Sequence, residues 1–137
     1  MISHVTIGSD DLPRAKRFYD ALLPMLGLSC IYQSPRGSSV GYAASPLSYE
    51  EDPAVTPQFW LMRPINGAAS SVANGGTIAF TARSRAEVDA FYRAALAAGA
   101  ADEGAPGLRP NYHPNYYGAY VRDLDGHKLC VVCHLPE

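Results

Sequence analysis

The chain has 137 residues, and 47% of them are hydrophobic, which is enough apolar material for one compact core of ordinary size. Charged residues make up only 18%, and 11 basic residues against 13 acidic ones give a net charge of −2. A nucleic-acid-binding protein needs clustered basic side chains, so this composition argues against such a partner. The longest uncharged segment, residues 64–82, is rich in Asn, Ser and Gly, which argues against a membrane span.

The N-terminal residues carry no charged leader followed by an apolar stretch, as a signal peptide would require, and we therefore expect a cytoplasmic protein. The three cysteines, Cys30, Cys130 and Cys133, are an odd number in a chain without an export signal. Free thiols in a reducing compartment are expected rather than disulfides.

The first predicted elements are a short strand at residues 4–7 and an amphipathic helix that follows it. Asp11 is placed to cap the helix, Pro13 lies just inside its start, and Gly27 is placed to close it. The helix has apolar residues at i, i+3, i+4, i+7 and i+8, which is the spacing of one buried face. These residues are Ala15, Phe18, Tyr19, Leu22 and Leu23.

Three strands are predicted after this helix, at residues 29–33, 39–44 and 58–62, because each run is β-branched or aromatic and is bounded by Pro, Gly or Ser. Residues 46–57 include three acidic side chains and are predicted to form a solvated excursion between the last two strands. The first module therefore has the order strand, helix and three strands.

A shift of 73 residues reproduces the first module in the second half of the chain. Residues 77–80 then align with the first strand. Ser84 and Glu87 are predicted to form a capping box at the start of a second helix, and Gly99 is placed to close that helix. The apolar stripe is reproduced with its Phe-Tyr pair in the same place. Its members are Val88, Phe91, Tyr92, Ala95 and Leu96.

The second module ends in a predicted hairpin, with strands at residues 116–122 and 127–134 joined by a turn at residues 123–126. Residues 100–114 contain so much Gly and Pro that the sixth strand is only weakly placed there. A single module cannot bury its sheet alone, so we expect one α+β domain over residues 1–137. It consists of two tandem βαβββ modules, at about residues 1–65 and 75–137, with a shared cleft between them.

The paired modules, a histidine at the start of the first strand and the sequence Asp-Leu-Asp-Gly-His at residues 123–127 resemble the vicinal oxygen chelate superfamily. That superfamily includes glyoxalase I, fosfomycin and bleomycin resistance proteins and extradiol dioxygenases. Residues 104–117 resemble glyoxalase-like members of unassigned activity. The resemblance implies that the two βαβββ modules form an incomplete barrel-like sheet. It also implies, in many members, a divalent metal held by side chains of both modules.

The resemblance places metal ligands at particular positions, and this sequence departs from the pattern at two of them. His4 stands at the first-strand ligand position, but its repeat mate is Thr77, and Cys130 replaces the usual glutamate of the last strand. Three or four protein ligands are usual for a catalytic Zn, Fe, Ni or Mn site. The prediction is therefore no cofactor, with a site at His4 and Cys130 as the alternative if Cys130 ionises.

Candidate ligand-binding residues fall into two groups on the predicted strands and the loop beside them. The first group lies on one face of the fourth strand by its period of two, and consists of Gln58, Trp60 and Met62. The second combines aromatic surface, hydroxyl groups and one cation, as small-molecule pockets do. It consists of Arg109, Tyr112, Tyr116, Tyr117 and Tyr120. The alternative for these tyrosines is that they pack the loop or form a dimer contact.

The sequence thus predicts a glyoxalase-like protein with a degenerate metal site that binds a small organic molecule in the cleft between the modules. The alternative is a divalent-metal-dependent lyase, isomerase or dioxygenase of the same superfamily, so the sequence leaves open whether the protein is an enzyme. The resemblance further implies a homodimer.

Overall fold

The computed structural model describes residues 2–44, 47–52 and 57–137. Within them it has two α-helices and eight strands, an α+β arrangement in which two separate four-stranded sheets are not closed into barrels. The chain divides into two compact units, Met1–Val72 (unit 1) and Ala73–Glu137 (unit 2). Each unit holds one sheet and one α-helix in the order βαβββ, which confirms the predicted repeat. Neither helix of the described residues is long and apolar enough to cross a membrane.

Unit 1 contains five regular elements and a sheet of order β1-β4-β3-β2. Strand β1 runs parallel to β4, and the other neighbours are antiparallel. The elements are β1 (His4–Gly8), α1 (Leu12–Leu22), β2 (Ser29–Gln33), β3 (Ser39–Ala43) and β4 (Gln58–Met62).

Helix α1 begins as predicted and ends earlier. The Asp11 carboxylate accepts a hydrogen bond from the Arg14 backbone N–H at 3.1 Å and caps the helix. The helix was expected to continue to Gly27, but it ends at Leu22 and is followed by a 3₁₀ helix, Leu23–Leu26. Pro24 explains the difference, because it has no N–H to continue the α-helical hydrogen bonds.

Unit 2 repeats this arrangement with a sheet of order β5-β8-β7-β6, in which β5 is parallel to β8 and the other pairs are antiparallel. Its elements are β5 (Ile78–Thr81), α2 (Arg85–Ala97), β6 (Ala101–Leu108), β7 (Tyr117–Arg122) and β8 (Lys128–Cys133). The strand boundaries differ from the predicted ones by one residue at several ends.

Helix α2 is capped by Ser84, whose hydroxyl accepts from the Glu87 N–H at 3.1 Å. The expected capping box is only half formed, because the Glu87 carboxylate accepts from the Arg83 N–H at 2.8 Å instead of from Ser84. Gly99 follows the helix with φ of 101°, the left-handed backbone that favours glycine at this position.

Strand β6 is longer and more regular than the sequence indicated. Ala101–Leu108 pairs with β7, although the pairing shifts between Asp102 and Gly104 and again between Gly104 and Gly107. As the edge strand of its sheet, β6 tolerates Pro106 and two irregularities that a central strand would not. Gly and Pro in this segment therefore mark bulges rather than a loop.

Each helix packs against one face of its own sheet. In unit 1 the Tyr19 ring of α1 lies 5.0 Å from Phe59 and 6.5 Å from Tyr42. In unit 2 the Tyr117 hydroxyl donates to the Asp89 carboxylate of α2 at 2.8 Å. Because side chains alternate along a strand, the neighbours of these strand residues point to the opposite face of each sheet, where the candidate site residues lie.

Candidate functional site

The opposite face of the unit 1 sheet is built around an indole lying on a glycine. The register aligns Thr6, Trp60 and Gly41 in one row across β1, β4 and β3. A Cβ atom at Gly41 would be 2.9 Å from two atoms of the Trp60 ring, closer than such atoms approach one another. The indole therefore lies flat against β3, and only glycine leaves room for it.

Two tyrosines complete a surface of three rings, which we call the aromatic surface: Tyr32, Tyr49 and Trp60. The Trp60 ring centroid is 5.6 Å from that of Tyr32 and 5.5 Å from that of Tyr49, and the Tyr49 ring is nearly perpendicular to the indole. These are favourable aromatic separations and angles. The surface therefore offers planar apolar area in a fixed arrangement.

Tyr49 is a site residue that the sequence reasoning missed, because it lies in the segment predicted to be a solvated excursion. Its N–H donates to the Ile31 carbonyl at 2.7 Å, which ties the segment to β2. The prediction is wrong for Tyr49. Residues 46 and 53–56 of that segment lie outside the described residues.

A cavity of about 250 Å³ lies beside the aromatic surface, lined by His4, Thr6, Tyr49, Gln58, Trp60 and Met62. The Trp60 indole N–H donates to Gln58 Oε1 at 2.8 Å. His4 Nδ1 lies 2.8 Å from the Ser3 hydroxyl. The structure thus brings His4, Gln58, Trp60 and Met62 together as predicted, although the two polar side chains serve internal hydrogen bonds.

The corresponding row of unit 2 contains Ala79, Cys130, Tyr120 and Gly104. Tyr120 of β7 and Cys130 of β8 lie directly opposite each other across the hairpin. The Tyr116 hydroxyl lies 3.1 Å from that of Tyr120 and 3.4 Å from Cys130 Sγ. Two phenols and one thiol therefore form a hydrogen-bonded cluster.

The cluster is neutral at ordinary pH. Burial raises the pKa of the Cys130 thiol, although bonds from the Tyr116 and Tyr120 hydroxyls act in the opposite direction. Burial is also the largest cause that raises the pKa values of both tyrosines. Because the thiolate is the nucleophile and the metal ligand, this environment makes Cys130 a poor choice for either role.

The donor atoms present do not fit the divalent metal that the family resemblance implies. The described ranges contain no group of three or more His, Cys, Asp or Glu side chains able to hold an ion. Gln58 Oε1 accepts from the indole N–H, and Cys130 is a protonated thiol whose partner on β5 is Ala79. Thr77 immediately precedes β5. His4 is one imidazole where three or four ligands are needed.

The candidate tyrosines of the β6–β7 region do not all lie on the same face of the unit 2 sheet. Tyr112 is exposed, with its ring 4.8 Å from that of Tyr116, and Arg109 lies 6.0 Å from the Tyr120 ring. Tyr117 points the other way and hydrogen-bonds to helix α2. Tyr117 therefore lies apart from the other residues with which the sequence analysis grouped it, because adjacent strand residues point to opposite faces of the sheet.

A pair of histidines holds the β6–β7 loop against the end of β8. His113 Nε2 and His134 Nδ1 are 2.8 Å apart, and the Tyr116 ring packs edge-on to both imidazoles. The Asn115 N–H donates to His113 Nδ1 at 3.1 Å. No local sequence pattern indicates this contact, since the two histidines are 21 residues apart. Each unit thus has its own set of site residues, and the expectation that His4, Trp60, Thr77 and Cys130 share one cleft stays a prediction.

A sequence model of the Glyoxalase/Bleomycin resistance protein/Dioxygenase superfamily matches residues 1–131. No protein with a curated description matches the chain in sequence. Among solved structures, a glyoxalase/bleomycin resistance protein from Albidiferax ferrireducens is 37% identical, with a TM-score of 0.81 and a match that covers 99% of each chain.

Two more distant structures share the fold alone. Lactoylglutathione lyase from Agrobacterium tumefaciens is 22% identical with a TM-score of 0.63, and the match covers 97% of this chain and 92% of that one. TioX from Micromonospora is 18% identical with a TM-score of 0.66, and the match covers 98% and 99% of the two chains. Proteins with different names thus have this architecture, so function has to be argued from the site.

Proposed function

The chain belongs to the Glyoxalase/Bleomycin resistance protein/Dioxygenase superfamily, and on that premise we propose that it binds a small planar organic molecule through its aromatic surface, without a conventional divalent metal. The observation that carries the proposal is the Trp60 indole, which is fixed between Gly41 beneath it and the rings of Tyr32 and Tyr49 beside it. Because the three rings already hold a fixed arrangement, their side chains lose little conformational entropy when a planar ligand stacks on them.

The adjoining cavity supports a small ligand rather than a macromolecule. Its volume of about 250 Å³ is near the lower limit of ordinary ligand pockets. Ring faces and the Met62 side chain supply apolar contact, and the imidazole of His4 and the amide of Gln58 supply polar contact. A few polar groups within an apolar lining is the usual composition of a site that orients one small molecule.

Chemistry on a metal-bound oxygen is the alternative that the family relationship raises. A divalent ion in such a site would act as a Lewis acid on a ligand oxygen, and a carboxylate would move the proton. In this chain Cys130 stands at the carboxylate position, and its raised pKa makes it an unsuitable base at neutral pH. The side chains present therefore favour ligand binding over this reaction.

Titration of the single tryptophan tests the proposal. Trp60 is the only tryptophan, so one indole N–H resonance reports on the aromatic surface alone. We expect quinoline, as a planar probe, to shift this resonance in a saturable way, whereas cyclohexanol does not. Trp60→Phe should keep most of the affinity, and Trp60→Ala should weaken it at least about fivefold, measured by thermal shift, because a stacking ring is lost.

The matched control is Tyr92→Ala, which removes a half-buried ring from α2 in unit 2. It should leave the quinoline affinity unchanged. If no planar probe moves the indole resonance, or if Trp60→Ala binds quinoline as wild type does, the aromatic surface is not a binding site.

A further inference from the structure

The face of the unit 2 sheet opposite α2 contains three glycines. Gly107 pairs with Gly118, and Gly104 pairs with Tyr120, so all three lie on the face opposite α2. Tyr116 covers Gly118, since a Cβ there would be 2.9 Å from the Tyr116 ring. The other two glycines are covered by a different kind of side chain.

The Arg109 guanidinium lies on Gly104 and Gly107. A Cβ at Gly107 would be 2.9 Å from Nη1, and one at Gly104 would be 3.5 Å from Nη2. Nη2 donates to the Ala105 carbonyl at 2.8 Å, and Nη1 donates to the Leu108 carbonyl at 3.3 Å. Among the residues that the structure describes, these contacts hold the guanidinium in place and engage two of its five N–H donors.

The positive charge of Arg109 is not neutralised within the described residues. The ion pairs that these residues form are Lys16–Asp20, Arg83–Glu87 and Arg122–Glu103, and none includes Arg109 or Lys128. A guanidinium that backbone carbonyls hold in place, with no carboxylate partner among these residues, still has N–H donors available for an anion.

Lys128 adds a second cation beside the same ring. Its ammonium lies 5.2 Å from the Tyr120 ring centroid, and Arg109 lies 6.0 Å from it. Two acidic side chains of β6 have other partners. Glu103 accepts from Arg122 Nε at 2.7 Å, and the charge of Lys128 also contributes to lowering the pKa of the Glu103 carboxyl group. Asp102 accepts from the Tyr92 hydroxyl and the Gly104 N–H. The face around Tyr120 therefore keeps an excess of positive charge.

We propose that this face of unit 2 binds the oxyanion group of a small organic anion, a carboxylate or a phosphate, with Arg109 as the principal contact and Lys128 flanking it. A guanidinium donates two parallel hydrogen bonds to such a group, and the rings and hydroxyls of Tyr116 and Tyr120 offer surface to the rest of the ligand. The inference goes beyond the proposed function, because it concerns other residues and holds whether or not quinoline binds at Trp60.

Amide resonances of the three glycines provide a readout separate from the indole resonance of Trp60. Isotope-labelled protein is titrated with benzoate, phenyl phosphate and benzyl alcohol, which share a ring and differ in charge. We expect the two anions to shift the Gly104 and Gly107 amides in a saturable way, and benzyl alcohol to bind at least about fivefold more weakly. The stronger of the two anions identifies the preferred oxyanion.

Three variants assign the effect to Arg109. Arg109→Gln should weaken anion binding at least about fivefold, and Arg109→Lys should fall between it and wild type, because the charge remains without the paired donors. Gly107→Ala should also weaken binding by displacing the guanidinium, with little loss of stability, since only the end of a flexible side chain must move. Arg93→Gln, an exposed site on α2, is the charge-matched control and should change nothing.

Equal affinity for benzyl alcohol and benzoate would overturn the inference, as would unchanged benzoate affinity in Arg109→Gln or the absence of any glycine shift. If Arg109→Gln does not fold, the ranking of Arg109→Lys and Gly107→Ala against wild type decides the question in the same way. Failure of the quinoline titration combined with a positive benzoate titration would reject the proposed function and leave this inference standing.

Discussion

Replacing Gly41 with valine is expected to lower the free energy of unfolding by about 2–4 kcal/mol and to expel the Trp60 indole from its place on β3. At an ordinary central strand position the same change would favour folding, because valine prefers strands and glycine weakens them. The sign reverses here because a Cβ at Gly41 would be 2.9 Å from rigid ring atoms. Displacing the indole also breaks its contacts with Tyr32 and Tyr49.

Denaturant unfolding followed by circular dichroism measures the stability change, and the emission maximum of Trp60 reports its exposure. Ala44→Val is the matched control, since this exposed residue adjoins β3 and should accept valine with little change in stability. If Gly41→Val is as stable as wild type and keeps the wild-type emission maximum, the indole does not lie on this glycine.

Replacing Cys130 with glutamate, the residue that the family resemblance implies at this position, is expected to lower the free energy of unfolding by about 2–4 kcal/mol at neutral pH. Cys130 is 1% exposed, and the burial that raises the pKa of its thiol would raise the pKa of a carboxyl group there as well. The Tyr116 and Tyr120 hydroxyls can donate to the carboxylate, but they offset only part of its desolvation.

The pH dependence of this cost follows from the direction of the shift. A folded-state pKa above the unfolded value of about 4.3 means that the unfolded chain ionises first. The stability of Cys130→Glu should therefore be highest below that value and fall as the pH rises toward the raised folded pKa. Cys130→Gln has nearly the same shape without the charge and should show no such loss. Parallel pH profiles of unfolding for the two variants would contradict the buried position of Cys130.

The helices could be predicted because their burial pattern is local. The Phe-Tyr pairs at Phe18 and Phe91 recur with the same helical spacing, and the predicted stripe of α1 is buried throughout. The stripe of α2 is only partly buried, because Tyr92 is half-buried and Leu96 is exposed at the edge of that face. The edge strand β6 was harder, because Gly104 and Gly107 are typical of loops and their bulges depend on pairing with β7. Sequence spacing shows which side of a strand a residue takes, but not where a bulge changes the register.

The candidate site likewise contains residues that could be predicted from the sequence and residues that could not. The period of two correctly grouped Gln58, Trp60 and Met62, since strand alternation alone decides their side. Tyr49 and the His113–His134 pair could not be found, because their contacts join distant segments. Local sequence shows no sign of such contacts, since they depend on the tertiary arrangement of loops.

The most direct test of the central claim is the metal content of the tag-free protein, measured by elemental analysis after incubation with excess Zn²⁺, Fe²⁺, Ni²⁺ or Mn²⁺ and desalting. One imidazole at His4 and a protonated thiol at Cys130 lack the three ligands that hold such ions. We expect only substoichiometric metal, equal in wild type and His4→Ala. Stoichiometric retention of any of these ions by wild type, lost in His4→Ala, would contradict the account.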